Sequence, residues 1–192
     1  MVKKFLCSLM LVVLFTSCIK ERWRYEPDNR QFIVRVGDMV SPDFFNIKME
    51  LFPCGTIVDF SELHGKVVLI QFATYHCSMT RAKMAQIEPR IWQRHKDNDD
   101  FRLFGIVRGE PNRNTPENIQ ILLNVTGATY PIGLDLGLNI FTLFAEPDGG
   151  ATRDILIGRD GRILKLTRFF SRYGYDEFEA LVAEIDKLLA DD

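Results

Sequence analysis

Residues 66–84 read KVVLIQFATYHCSMTRAKM. The run from Val67 to Phe72 is short, mostly apolar and rich in β-branched side chains, which is typical of a strand buried on both faces of a sheet. From Ser78 to His95 apolar residues recur at helical spacing, so the pattern predicts a long helix directly after the strand. Cys77 is therefore expected at the junction, just before the first turn of that helix.

The helix from Ser78 to His95 is predicted to be amphipathic. The apolar side chains expected to face the core are Met84, Ile87, Ile91 and Trp92. The polar side chains expected to face water are Arg81, Lys83, Gln86, Arg90 and Arg94. Pro89 predicts a kink in the middle of the helix, because its ring removes a backbone N–H donor.

The segments on either side of residues 66–95 predict alternating strands and helices. The predicted strands are Gln31–Val36, Phe44–Leu51, Thr56–Phe60, Phe101–Val107, Ile155–Ile157 and Ile163–Thr167, with hairpin turns at residues 53–55 and 158–161. The predicted helices are a turn at residues 61–63, a helix capped by Thr115 that runs to Val125, a short helix Leu138–Phe144, and Asp176–Leu189. Strands that alternate with helices indicate an α/β fold with a central mixed sheet, parallel crossovers in its middle and helices on both faces.

The position of Cys77 suits a reactive thiol. Backbone N–H groups at a helix N-terminus point outward, and the helix dipole favours a thiolate there. His76 and Arg81 could add positive charge nearby. The thiolate, and not the thiol, is the nucleophile. The alternative is that Cys77 is only a small residue packed at the end of a strand.

Four short motifs in order resemble the membrane-anchored thioredoxin-like disulfide reductases and the related redoxin group, the alkyl hydroperoxide reductase/thiol-specific antioxidant proteins. The motifs are GDMVSPDF at residues 37–44, LHGKVVL at 63–69, FATYHCSMTRAKM at 72–84 and ILIGRDGRI at 155–163. The likeness runs from about Val36 to Leu189. It implies a thioredoxin-like three-layer sandwich over residues 31–192, with an added N-terminal β-hairpin and an extra helix between the middle strands.

This resemblance implies that Cys77 is the attacking thiol and that the chain lacks a resolving thiol at position 80. Cys77 matches the first, attacking cysteine of the family's Cys-Xaa-Xaa-Cys motif, and Thr80 stands where the second, resolving cysteine belongs. A threonine hydroxyl cannot attack a mixed disulfide, so ordinary two-cysteine turnover within this motif is excluded. The Thr80 hydroxyl can still hydrogen-bond a neighbouring thiolate.

Two further positions depart from the family pattern. Thr152 stands where the family places a cis-proline opposite the motif. Arg153 aligns one residue away from the position at which peroxiredoxins carry an arginine that stabilises their reactive thiolate. Thr74 lies three residues before Cys77, as in the peroxiredoxin Pro-Xaa-Xaa-Xaa-Thr-Xaa-Xaa-Cys motif, although Ile70 replaces its proline. A peroxidase-like single-cysteine activity is therefore one alternative.

The N-terminus predicts export. Met1 to Lys4 carries two lysines and Phe5 to Phe15 is almost wholly apolar, which is the pattern of a signal peptide. The ending LFTSC resembles a bacterial lipobox, so residues 1–17 are predicted to be a lipoprotein signal peptide, with Cys18 acylated and residues 18–30 as a tether. Ordinary secretion and an uncleaved anchor are the alternatives. Lipidation, ordinary secretion and an uncleaved anchor all place the domain outside the cytoplasm. A lipidated chain is expected in the cell envelope, as a periplasm-facing or outer-membrane lipoprotein.

The other cysteines, the net charge and the motif search limit which kinds of site the chain can contain. Of the four cysteines, Cys7 lies in the signal peptide and Cys18 is consumed by lipid, which leaves Cys54 and Cys77 as thiols. Cys54 lies in the predicted N-terminal hairpin turn and is expected away from the motif, as a free or incidental thiol. The net charge is −2, and the sequence shows no basic patch of the kind that indicates nucleic-acid binding. Neither zinc-ligand spacing nor a glycine-rich phosphate loop is visible, so no metal and no cofactor is predicted.

The sequence favours an exported thiol-redox protein. Cys77 is predicted to form mixed disulfides with an exported protein or a small-molecule thiol, and a second molecule is expected to resolve them. The rival hypothesis is a redox-inactive binding or scaffold lipoprotein, so whether the chain is an enzyme stays open. Arg108 and Glu110 are interpreted as loop charges, His64 and His95 as solvated residues, and Phe169–Tyr175 as a packed loop or a partner patch.

Overall fold

The computed structural model of the 192-residue chain describes residues 32–109, 114–150, 152–167 and 175–190. The predicted signal peptide, Cys18, the tether, Glu110 and residues 169–174 lie outside these ranges. The strand predicted at Gln31–Val36 is wrong for its described part, because Phe32 makes only an isolated bridge to Ala145 and residues 33–36 form bends and a turn. Within the described ranges, the helices are too short or too polar to cross a membrane.

Seven strands and three α-helices make up the described part of the chain. The strands are β1 Lys48–Phe52, β2 Ile57–Asp59, β3 Val67–Ala73, β4 Phe101–Arg108, β5 Ile132–Asp135, β6 Arg153–Ile157 and β7 Ile163–Thr167. The helices are α1 Ser78–Ile87, α2 Pro116–Thr126 and α3 Tyr175–Ala190, with α1 continued by a π-helical segment Glu88–Trp92 and a last turn Gln93–His95. Short 3-10 helices occupy Pro42–Asn46, Phe60–Leu63 and Phe141–Leu143.

The seven strands form one mixed sheet in the order β2-β1-β5-β4-β3-β6-β7. β3 pairs in parallel with β4, and β4 with β5, while the other neighbours are antiparallel. All seven residues of β3 are buried, as expected of a central strand whose two faces are covered. The predicted α/β fold class, the parallel middle of the sheet and the added hairpin β1–β2 are confirmed.

Each face of the sheet carries its own apolar core. The three α-helices cover one face, where α1 contributes Met84 and Ile87 and α3 contributes Leu181 and Ile185. The opposite face is rich in phenylalanine and is covered by the 3-10 helices and residues 32–40. The buried phenylalanines of this face are Phe44, Phe60, Phe72, Phe104, Phe141 and Phe144. Burial on both faces fixes the plane of β3, and so fixes where its C-terminal end presents the following loop.

Three further segments differ from expectation, and the first is residues 44–46, which were predicted to be strand and belong to the 3-10 helix Pro42–Asn46. β5 was not predicted, because four residues with a glycine in the middle carry neither strand alternation nor a run of β-branched side chains. A Cβ at Gly133 would clash with the side chain of Met49 on the paired strand β1, so a larger residue there would have to displace that flexible side chain. The helix predicted at Leu138–Phe144 is reduced to the 3-10 turn Phe141–Leu143.

Candidate functional site

Cys77 lies where sequence patterns place it, between β3 and α1. The chain leaves β3 at Ala73, and Cys77 becomes the N-cap residue of α1 with φ −84° and ψ 116°. The Cys77 N–H donates to the Thr74 carbonyl at 3.4 Å, and the Cys77 carbonyl accepts the first helical bond from Arg81 N–H at 3.2 Å. The side chain is half-buried and the thiol is free. The sulfur can therefore be reached by a partner while it stays beside the N-terminus of a helix.

Three threonine residues form a chain of hydrogen bonds that ends at this sulfur. The Thr152 hydroxyl donates to Cys77 Sγ at 3.4 Å. Thr80 Oγ1 lies 2.9 Å from Thr152 Oγ1 and accepts from the Thr74 N–H at 3.3 Å. Thr74, Thr80 and Thr152 are all at least 95% buried. Thr80 and Thr152 are thus packed against each other beside Cys77.

These contacts favour the charged form of the thiol. Partial burial of Cys77 acts to raise its pKa, but hydrogen bonding by the Thr152 hydroxyl opposes this effect, and so do the backbone and hydroxyl of Thr80 and the backbone of Met79. The net result is that the pKa of Cys77 lies below its usual value. Donors at the first turn of α1 and one hydroxyl from the loop before β6 together stabilise a thiolate.

The other predicted site residues lie around this centre in different ways. His76 and Arg81 are exposed on either side of Cys77. Arg153 is buried, its guanidinium lies 4.6 Å from the centre of the Phe32 ring, and its Nε donates to the Gly150 carbonyl. These contacts of Arg153 brace the loop that precedes Thr152.

Lys83 is not on the water-facing side of α1, where the helical pattern predicted it. Its side chain is 2% exposed, its Nζ lies 2.8 Å from Asp154 Oδ2, and it donates to Thr167 Oγ1 at 3.3 Å. Asp154 lies two residues beyond Thr152 on β6. A buried ion pair therefore ties α1 to β6 beneath the thiol, and the prediction failed because the partner is 71 residues away in the chain.

Arg108 and Asn114 were not identified from the sequence as site residues. Arg108 ends β4 and donates from Nη1 and Nη2 to the carbonyls of Gly149 and Pro147, so its interpretation as a loop charge is wrong. Asn114, which is 2% exposed, accepts the Tyr75 N–H at 3.0 Å. Arg108 lies at the carboxyl end of a parallel strand, where sites commonly gather, and Asn114 lies just before the helix that follows this strand, so their position was the available signal.

Cys54 and a cleft beside β4 belong to other parts of the fold. Cys54 is exposed in the hairpin turn, where hydrogen bonds from Thr56 lower its pKa. A cleft of about 380 Å³ opens at the N-terminal end of β4 and is lined by residues such as Trp92, Arg102 and Leu103, but not by Cys77. Neither feature adds a group to the Cys77 site.

No family model matches the chain, and no curated protein matches it either. Among solved structures, the chain is similar to the solution structure of a "putative protein disulfide isomerase" from Bacteroides thetaiotaomicron, with 42% identity and a TM-score of 0.72. The match covers 83% of this chain and 92% of that chain.

Two more distant structures share the fold. The crystal structure of a "putative Thiol:disulfide interchange protein DsbE" from Chlorobium tepidum is 17% identical, with a TM-score of 0.62, over 81% of this chain and 99% of that one. A cysteine-to-serine mutant of PrxQ from Xylella fastidiosa is 15% identical, with a TM-score of 0.59, over 80% of this chain and 96% of that one. At these identities the likeness concerns the fold alone.

Proposed function

This chain belongs to the thioredoxin-like thiol–disulfide oxidoreductase family, and from that premise we propose that Cys77 is a single attacking thiolate that forms mixed disulfides. The observation that carries the proposal is the Thr152 hydroxyl hydrogen-bonded to Cys77 Sγ at the start of α1. The lowered pKa of Cys77 supports it, because a larger fraction of the sulfur is then a thiolate at neutral pH.

The proposed reaction is one thiol–disulfide exchange. The Cys77 thiolate attacks one sulfur of a disulfide, a new bond forms between Cys77 Sγ and that sulfur, and the original sulfur–sulfur bond breaks. The second sulfur leaves as a thiolate and takes a proton from solvent. A second thiol then attacks the mixed disulfide, regenerates the Cys77 thiolate and leaves as a new disulfide.

The resolving thiol of this scheme comes from another molecule. Thr80 occupies the position of a second motif cysteine, and its hydroxyl cannot act as the resolving nucleophile. The substrate class is an exported protein disulfide or a small-molecule thiol or disulfide. The proposal includes export through the N-terminal signal peptide and membrane attachment through lipid on Cys18.

The test is trapping of the mixed disulfide. The reduced protein is incubated with glutathione disulfide at neutral pH, and the adduct is located by peptide mass spectrometry. We expect one glutathionyl group on Cys77, no adduct at this site in Cys77→Ser, and unchanged trapping in the matched variant Cys54→Ser. A Cys77 thiol that titrates and reacts like free cysteine would contradict the proposal.

One observation favours a second candidate, a redox-inactive binding or scaffold protein. Thr80 and Thr152 replace the two family residues on which turnover and peptide docking depend, and they hydrogen-bond each other at 2.9 Å. This candidate gains support if Cys77→Ser binds every partner of the wild-type protein and the wild-type protein forms no adduct.

A further inference from the structure

Two loops meet at the thiol, and both are attached to the same short region at the end of β4. The loop before α1 contains Tyr75, whose N–H donates to Oδ1 of Asn114 at 3.0 Å. The Asn114 Nδ2 in turn donates to the carbonyl of Arg108, the last residue of β4. Asn114 is 98% buried, so this link between the loop of Cys77 and β4 is shielded from water.

The loop before β6 is attached to the same arginine. Arg108 Nη1 donates to the Gly149 carbonyl at 2.5 Å, and Nη2 donates to the Pro147 carbonyl. The guanidinium carbon lies 4.7 Å from the centre of the Phe141 ring, which holds the plane of the fork. Arg108 therefore holds the backbone at Pro147 and Gly149, in the loop before β6.

We propose that Arg108 and Asn114 are positioning residues that set the spacing between Cys77 Sγ and Thr152 Oγ1, an inference that rests on the proposed role of Cys77. Together these two side chains form a bridge between the loops: Asn114 fixes the loop of Cys77, and Arg108 fixes the loop of Thr152. The described hydrogen bonds of both side chains go to other partners than the sulfur, so both act through the backbone. Loss of either end is expected to lengthen the contact of 3.4 Å between the sulfur and the hydroxyl.

The test uses changes that keep the net charge, because a lost cation would itself alter the charge state of a nearby thiol. The charged and titratable groups on the surrounding elements are all kept unchanged, and they include Tyr75, His76, Arg81, Lys83, Asp135, Glu146, Asp148, Arg153 and Asp154. Asn114→Leu removes both hydrogen bonds of the amide at similar volume. Arg108→Lys keeps the charge but replaces the two-pronged donor with a single ammonium group.

The control is Arg102→Lys at the other end of the same strand. Arg102 also donates from one guanidinium nitrogen to backbone carbonyls, those of Asn98, Asp99 and Phe101, but lies away from the thiol. It matches Arg108 in residue type, strand and kind of contact. A general effect of loosening β4 would therefore appear in both variants.

The measurement is the pH profile of iodoacetamide alkylation at the Cys77 peptide, followed by mass spectrometry, in protein carrying Cys54→Ser. We expect Asn114→Leu and Arg108→Lys to raise the apparent pKa of Cys77 and to slow alkylation at neutral pH about three- to tenfold, since one pKa unit changes the thiolate fraction about tenfold. Arg102→Lys is expected to match the unmodified profile. In a Thr152→Val background the two bridge variants should cause little further change, because the contact that they position is already absent.

The outcomes separate this inference from the proposed function. If the parent protein already titrates like free cysteine, the proposed function fails. If the parent thiol has a low pKa and both folded bridge variants keep it, the bridge is wrong. Arg108→Lys decides the matter alone if Asn114→Leu does not fold, and equal shifts in Arg102→Lys would also overturn the inference.

Discussion

The hydroxyl of Thr152 has a single hydrogen, and the direction in which it points decides whether Cys77 Sγ accepts a hydrogen bond from it. A threonine hydroxyl can donate once and accept twice. Because the Thr152 hydroxyl donates its hydrogen to Cys77 Sγ, the Thr80 hydroxyl is the donor between Thr80 and Thr152, and the Thr80 oxygen accepts from the Thr74 N–H. The chain of donors thus runs from the backbone to the thiolate.

Removal of the last hydroxyl should weaken the thiolate. We expect Thr152→Val, which keeps the shape of the side chain, to raise the pKa of Cys77 by about one unit and to slow alkylation at neutral pH about tenfold. Thr152→Ser keeps the donor and should stay close to wild type. The pH dependence of the thiolate ultraviolet absorbance, measured with Cys54→Ser, checks both. Equal profiles for the valine and serine variants would contradict the assignment.

A thiol introduced at position 80 should allow turnover within the motif. In Thr80→Cys the new thiol is positioned to attack the mixed disulfide on Cys77, so we expect an internal disulfide and catalytic reduction of insulin with a dithiol donor. Thr80→Ser is the matched control, because it changes the side chain without adding a nucleophile. Failure of Thr80→Cys to turn over would favour the scaffold candidate.

At the scale of elements, the buried pair between α1 and β6 holds the helix that presents Cys77. Lys83→Met leaves the Asp154 carboxylate buried without its cation, so we expect a loss of about 3–5 kcal/mol in the free energy of unfolding. The double variant Lys83→Met/Asp154→Leu removes both charges and should recover much of that loss. Urea denaturation measures the two values. Additive losses in the double variant would contradict the coupling.

Local patterns were sufficient for most elements. The apolar run of β3, the helical spacing of α1, and the cap at Thr115 are properties of neighbouring residues, and all three are confirmed. The strand β5 could not be predicted because it depends on pairing with the distant strand β1. The burial of Lys83 could not be predicted because its partner, the Asp154 carboxylate, is far along the chain. A polarity pattern cannot indicate that an ammonium group has a buried partner.

The site divides in the same way. Cys77, Thr80 and Thr152 were identified through motif order, and the structure brings these three side chains into contact, while their roles stay predictions. Arg108 and Asn114 were missed because their partners are backbone atoms of other loops, which leave no trace in side-chain identity. Sequence reasoning therefore identified the side chains around the sulfur better than the residues that position them.

For the molecule as a whole, a thiol of lowered pKa makes stability depend on pH. Between the folded pKa of Cys77 and the higher pKa of the unfolded thiol, the unfolded chain binds more protons. The free energy of unfolding should therefore gain a contribution as pH rises through this window, and lose it as pH falls through the folded pKa. Denaturation of Cys54→Ser, with and without Cys77→Ser, at a series of pH values measures it. A constant difference between the two proteins would contradict the sign.

Phe32, the first residue that the structure describes, stacks on the Arg153 guanidinium, and Arg153 follows Thr152 directly in the chain. The first described residue of the domain therefore contacts the strand that begins beside the reactive sulfur. With lipid on Cys18, as proposed, residues 19–31 would be the spacer between a membrane and the domain. The length of that spacer would then limit the size of a disulfide substrate that can reach Cys77.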